Sequence, residues 1–513
     1  MDEHRLIVLH HLGNSEPGRL RSFTDQDDVA LPASRPLQGK GHLLFLRGFL
    51  SSPWVAELGS RYRIDPEFFN RHLDFFDASS HGDCFNTPSL LNTTNNIIHV
   101  PLTTLFTDSM PHSTVNLYDS SVGYRGMIRD QLSKYKRSLQ KLANCGDSIV
   151  REYSILSKRY SVIEQRISIC IVEDGDGWAG ILWMDNGRDL DKSPLGPWNK
   201  GLDRKSGIKV TSLPVIQHHP KMTWRKLGDG GASSNPPLYP LAHLGLPQSI
   251  STLPLEYQSL LSALDLSKRA EFDPLHALIP VFAHSAFSEV SFLNLIHELL
   301  GKLTEPIPLD DFQNETFETL QHLEIILERH VTQIRHCIRS IQLLGEKSQF
   351  VSLQSTFGSR KSQSPQRSPF VADGKDFTTF HGHQQQLTSF SAAGIYQDHE
   401  DLLERCLHLL SRVNSAKTSE MNRAMILESR RAIEQSDRTK KLTLLATYYI
   451  PLTFTATLFG MNFSLFGQSA LSIWWYVVLA VPFTLLTHVL YSWNLQTLYV
   501  GYRSLVNLWK SSK

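Results

Sequence analysis

Apolar and polar positions divide the chain into three regimes. Up to about residue 265, short apolar runs alternate with turns. Residues 43–49 (LLFLRGF) predict a strand. Residues 66–76 predict a helix with Asp65 as its N-cap and Pro66 at its first position. Proline is suited to that place because a helix start leaves its N–H groups unpaired in any case. Residues 166–184 (RISICIVEDGDGWAGILWM) predict a hairpin, two β-branched runs turning at Asp174-Gly175-Asp176-Gly177. From about 275 a helical period takes over. Phe317, Leu320, Leu323, Ile326, Leu327, Ile334, Ile338 and Ile341 recur every three or four residues and predict a helix within 311–347. The period then lapses into Ser, Gln, Gly and charged residues over 348–397, which reads as a flexible insertion. Ser364-Pro365 and Ser368-Pro369, beside basic residues, are either phosphorylation sites or part of a plain solvated loop.

The third regime starts near His399, where Leu402, Leu403, Cys406, Leu407, Leu409, Leu410 and Val413 form an apolar stripe. No Pro or Gly separates Gly394 from Pro451. One helix is therefore expected from about 398 to Phe459, about 90 Å long at 1.5 Å per residue. Its end, 442–459, is apolar, and so is 473–493. Each approaches the ~20 residues that cross a bilayer. The intervening GMNFSLFGQSALS reads as a turn. Trp474, Trp475 and Tyr476 at one end of the second span, with Tyr491 and Trp493 at the other, suit two membrane interfaces. Pro451 and Pro482 interrupt the spans, as membrane helices tolerate.

Charge sharpens this division. Over the whole chain 51 Lys+Arg balance 50 Asp+Glu, so nucleic acid is not an expected partner. Yet 442–502 holds no Asp, Glu, Lys or Arg, although 20% of the chain is charged. Arg423, Arg430, Arg431, Arg438, Lys440 and Lys441 precede the spans, and Arg503, Lys510 and Lys513 follow them. The loop 463–472 is uncharged. By the positive-inside rule both termini are cytosolic and the loop lies outside. The first residues resemble neither a secretory signal nor a transit peptide, which favours the plasma membrane. Five scattered cysteines without a CxxC fit a reducing compartment and offer no zinc site. No Walker A loop, HExxH or GxSxG is present, so no enzyme or cofactor is expected. His488 lies within the second span, where a hydrogen bond to a neighbouring helix is the plainer reading.

The fold class expected is α+β. A cytosolic α/β domain (1–265) continues into its helical part (266–347), the insertion (348–397) and a stalk helix (398–441). A two-span transmembrane hairpin (442–493, with spans 442–462 and 473–493) and a basic cytosolic tail (494–513) complete it.

The first span has an uneven surface. Ser436, Thr439, Leu442, Thr443, Ala446, Ile450, Thr453, Thr457 and Gly460 recur on one helical face, mostly small or hydroxyl-bearing. Two arrangements produce such a face: close helix packing, or a pore lining formed by several copies. At its outer end stands Gly460-Met461-Asn462. With LTLLATYYIPLTFTATLFGMNF and the two-span C-terminus, this resembles the CorA superfamily of magnesium channels. The stretch IDPEFFNRHLDF is similar to fungal members of that group.

The resemblance implies a funnel-shaped homopentamer in which first spans line the pore and second spans ring it. Five Asn462 side chains would hold hydrated Mg²⁺ at the outer mouth, with Gly460 permitting the turn and Met461 packing behind. Thr453 would form a hydroxyl ring, and Ile450 and Leu442 apolar constrictions. Ala446 and Thr443 would line the pore, Thr439 and Ser436 its cytosolic entrance, and Lys440 and Lys441 a basic collar. Mg²⁺ would be the transported ion and a candidate regulatory one, with the bilayer and further copies of the chain as partners. Two departures stand out. The segment after Asn462, FSLFGQ, has no acid where relatives often carry them, and Ile450 and Thr439 replace Met. Alternatives are a transporter of Zn²⁺ or another divalent ion, and a non-conducting membrane-tethered signalling or scaffold protein.

Overall fold

The computed structural model describes residues 6–12, 21–23, 40–74, 97–107, 121–157, 159–174, 177–199, 211–217, 247–264, 266–305, 314–358, 391–460 and 473–492. It divides into two compact units, one of residues 1–306 with 313–418, the other of 307–312 with 419–513.

The first unit is built on an eight-stranded sheet. Its strands are β1 (Ile7–His11), β2 (Arg21–Phe23), β3 (His42–Arg47), β4 (Ile97–Thr107), β5 (Glu152–Ile155), β6 (Tyr160–Asp174), β7 (Gly177–Met184) and β8 (Thr211–Ser212). The order is β2-β1-β3-β7-β6-β4-β8, with β5 also on β6. All pairs are antiparallel except β3 with β7, which run parallel from His42↔Ala179 to Arg47↔Met184. The expected hairpin is β6–β7, closing at Asp174↔Gly177.

Alternation along the strands sends side chains to two layers. Leu43 and Phe45 join Val8, Leu182 and Met184 on one face, beneath Tyr257, Leu278 and Phe282. These come from α4 (Leu253–Ala263) and α6 (Pro274–Leu303), following the short α5 (Ser267–Ala270). Leu44 and Leu46 join Ile181 and Trp183 on the other face, against Trp54 and Leu58 of α1 (Ser52–Tyr62) and Phe68 and Phe69 of α2 (Pro66–His72). The start of α2 matches expectation: Asp65 Oδ1 accepts from the Glu67 N–H at 2.9 Å, and Pro66 takes the first position.

Towards the far end of the sheet, Phe106 and Ile163 pack with Tyr135 and Leu139 of α3 (Ser121–Leu142). There α6 meets α7 (Asn314–Gly358) and the start of α8 (Ala392–Gly460) through Phe292, Ile296, Leu327, Val331, Cys406 and Leu409. α7 continues to Gly358, with no Pro or Gly after Gly345 to stop it, and α8 starts at Ala392. The expected insertion is thus shortened at both ends. Ser364 and Ser368 lie outside the described residues.

Among the described residues α6 is long and apolar enough to cross a membrane, but 78% of its apolar window is buried inside the protein. It is a core helix, apolar nearly all round because the sheet covers one side and helices the other.

Candidate functional site

The second unit holds the charge-free segments, as the end of α8 and as α9 (Ile473–Ser492). α8 runs unbroken to Gly460 through Pro451. Within α9, Val477–Val489 is apolar but shorter than a full crossing among the described residues. Large apolar side chains here are exposed: Leu445 54%, Tyr449 60% and Phe454 54% on α8, Leu485 60% and Leu486 55% on α9. Leaving such groups in water is unfavourable by about 25 cal/mol per Å², so this surface calls for lipid or for other copies of the chain.

The two helices touch along one face of each. Tyr448 and His488 lie with ring centroids 5.9 Å apart, and Phe454 and Phe483 at 6.2 Å. Thr455 and Ala480 are buried, as is Pro451. At about 100° per residue, Thr447, Pro451 and Thr455 share a side of α8. Ser436, Thr439, Thr443, Ala446, Ile450, Thr453 and Thr457 centre on another side, about 110° away. Of these only Ala446 is half-buried, and the rest are exposed, as is Leu442. The small face therefore does not pack on α9. Further down, Ala432, Gln435, Ser436, Thr439, Lys440 and Thr443 line a shallow groove of about 490 Å³. Lys440 pairs with Asp437 at 3.3 Å, and Lys441 is exposed. Gly460 ends the helix; Met461 and Asn462 lie outside the described residues.

The hydroxyls on this face have a defined polarity. Thr439 donates to the Gln435 carbonyl (2.9 Å), Thr443 to that of Thr439 (2.9 Å) and Thr453 to that of Tyr449 (2.9 Å). Thr457 donates to the Phe454 carbonyl at 2.8 Å. Each proton is held by the helix's own backbone, which leaves the oxygen lone pairs as acceptors on the exposed side. Mg²⁺ keeps its waters, whose hydrogens point outward. A column of acceptors matches such a hydrated cation.

Residues 380–493 match the family model described as CorA-like Mg²⁺ transporter protein. The C-terminal segment is CorA-like. No curated protein matches the chain. The matched stretch takes in all of α8 and α9, the CorA-like part, and leaves the sheet outside it.

The body beside this CorA-like segment holds two buried ionic networks that sequence reasoning missed. Asp185, fully buried after β7, accepts from Arg151 Nε at 2.6 Å, Arg151 Nη2 at 3.0 Å and the Arg166 N–H at 2.7 Å. Its Oδ1 lies 3.1 Å from His72 Nε2. Burial alone would raise this carboxyl, but Arg151 and His72 outweigh it and hold the group well below the usual range. Burial pushes His72 down to about 4, so the ring is neutral at pH 7. It stacks on Trp183 at 3.9 Å, with Nδ1 2.8 Å from Ser168 Oγ.

In the second network His330, on α7 and fully buried, places Nδ1 2.8 Å from Glu289 Oε1 and Nε2 3.8 Å from Glu164 Oε1. Burial opposes its charge, but the two carboxylates prevail and raise it to about 10. Arg329 also holds Glu164, at 2.9 Å. These partners are too far apart in the chain for any periodicity to show. Among the described residues no group of three or more His, Cys, Asp or Glu is arranged to hold a metal ion.

Proposed function

We propose that the protein is a CorA-like divalent metal-ion channel, with Mg²⁺ uptake as its activity. In this reading five chains place the small face of α8 around an axis and the α9 helices outside it. Asn462 forms the ring at the outer mouth, Lys440 and Lys441 the inner basic collar. Leu442 and Ile450 form constrictions that open by wetting. Both termini lie in the cytosol and the membrane is the plasma membrane. The membrane potential supplies the drive, ~4.6 kcal/mol for two charges per 100 mV.

The observation that supports this best is the exposed Thr453 and Thr457 face, turned away from α9 inside the segment that matches the family. A helix hairpin that needed small residues only for its own packing would bury them between its two helices. Mg²⁺ flux into proteoliposomes, read with an enclosed indicator for wild type and Asn462→Ala, tests the proposal. Wild-type flux with a markedly reduced or less selective variant is expected. Absence of flux for Mg²⁺, Zn²⁺, Co²⁺ and Ni²⁺ alike would sink the transport reading. The acid-free loop after Asn462 would then favour a membrane-tethered scaffold. Flux of Zn²⁺ without Mg²⁺ would reassign the ion and keep the channel.

A further inference from the structure

Between α7 and α8, within the first unit, runs an open groove of about 430 Å³. The two helices are antiparallel there: Gln342 Nε2 donates to the Tyr396 hydroxyl at 3.0 Å, and Cys406 Sγ lies 3.7 Å from the Leu327 carbonyl oxygen. Ile338, Leu403 and Leu407 form an apolar floor, and Leu407 is 38% exposed. Arg335 and Arg339 of α7 stand along one rim, Glu400 and Glu404 of α8 along the other. The two contacts set Arg339 within a helical turn of the level of Glu400, and Arg335 within a turn of Glu404.

These rims are charged and unmatched. Each repeats its own sign one turn apart, and like charges at that spacing repel. Neither helix places an opposite charge three or four residues from any of the four. Arg335, Arg339 and Glu404 make no ion pair among the described residues, because the groove holds the two rims apart. Glu400 accepts from the Tyr396 hydroxyl. Other long side chains of α8 are engaged away from the groove, Arg405 with Asn294 and Lys417 with Glu324. An apolar ridge with acids beside α7 and bases beside α8 would complete the surface.

The helix pair itself carries that pattern. A second α7–α8 pair, turned about a two-fold axis parallel to the helices, keeps its level and lays α7 over α8 and α8 over α7. Arg339 then meets Glu400 of the partner subunit, and Arg335 meets Glu404 of the partner subunit, each pair being formed twice. The apolar floors close on each other as in a four-helix bundle. A two-fold axis across the helices would instead set Arg on Arg and Glu on Glu, so the charge pattern selects the first arrangement.

We propose that this groove is a two-fold contact between two copies of the chain, rimmed by Arg–Glu pairs. It lies wholly in the first unit and stands whether or not the second unit conducts. In a five-fold assembly it is a contact additional to the ring. Eight residues line the groove, against ~20–30 a side in a standard interface, so the contact is weak by itself.

The test is subunit counting by light scattering on the full-length protein in detergent, at concentrations rising to roughly a hundred micromolar. Wild type is expected to double its subunit number over that range. Arg339→Glu and Glu400→Arg each set like charge against like across the two-fold axis. Each should weaken the doubling at least about tenfold with the thermal midpoint unchanged. The two variants complement each other, so their equimolar mixture should double as wild type does. Leu407→Glu puts a charge on the floor, should weaken the doubling as much, and serves if a rim variant misfolds. Absence of doubling in wild type overturns the proposal. So does doubling that no variant changes, or a mixture that associates no better than either rim variant alone.

Discussion

Replacing Glu289 by Gln removes one of two carboxylates that hold His330 charged, at nearly constant side-chain volume. His330 is fully buried, with Glu289 at 2.8 Å and Glu164 at 3.8 Å. Its ring stacks on Phe292 with centroids 4.1 Å apart, so no water replaces the lost partner. Breaking one side of a buried pair costs about 3–5 kcal/mol. For a body of this size a kcal/mol moves the midpoint by about 2 °C, so a fall of roughly 6–10 °C is expected at pH 7. The pH dependence gives a sharper reading. The folded value of His330 is raised from 6.5 to about 10. Its contribution is therefore fully present below 6.5 and is lost progressively as pH rises towards 10. Wild type should lose stability over that window, and the variant should show a flatter profile. The assay is thermal unfolding of the full-length protein in detergent at half-unit steps from pH 6 to 9.5. Glu298→Gln, which removes a pair between exposed side chains, is the control and should leave the midpoint unchanged. A Glu289→Gln midpoint within about 2 °C of wild type, or an equally steep pH profile in both proteins, would refute the reasoning.

Two further outcomes are expected in the second unit. Thr453→Val deletes a hydroxyl on the exposed face and should lower Mg²⁺ flux with the midpoint unchanged. Thr455→Val deletes the same group on the buried face, where it is bonded to the Pro451 carbonyl at 3.0 Å, and should spare flux; equal loss in both would contradict the proposed pore face. Ala480→Leu overfills a position that is 4% exposed and should destabilise by about 1–3 kcal/mol. Val481→Leu, next to it and 50% exposed, should be neutral; matching midpoints by differential scanning fluorimetry would mean that α9 does not pack through Ala480.

Local features of this protein are written in its sequence because their causes are local. The Asp65-Pro66 cap, the β6–β7 turn and the unbroken α8 each depend on residues within a few positions of one another. The charge-free stretch marked α9 and the end of α8 for the same reason, since absence of charge is read residue by residue.

Tertiary structure decided what depends on neighbours remote in the chain. The parallel pairing of β3 with β7 joins strands over 130 residues apart, and no alternation pattern specifies it. The apolarity of α6 is equally suited to lipid and to a protein interior, and only the sheet and helices around it select the interior. Glu164, Glu289 and His330 read separately as ordinary polar residues; folding buries them together, where each charge requires the others. The small face of α8 was visible as a period, but whether it meets α9 was not. The packing of Thr455 and Ala480 answers that, because a helix buries one side against one partner and leaves the other for whatever the assembly brings to it.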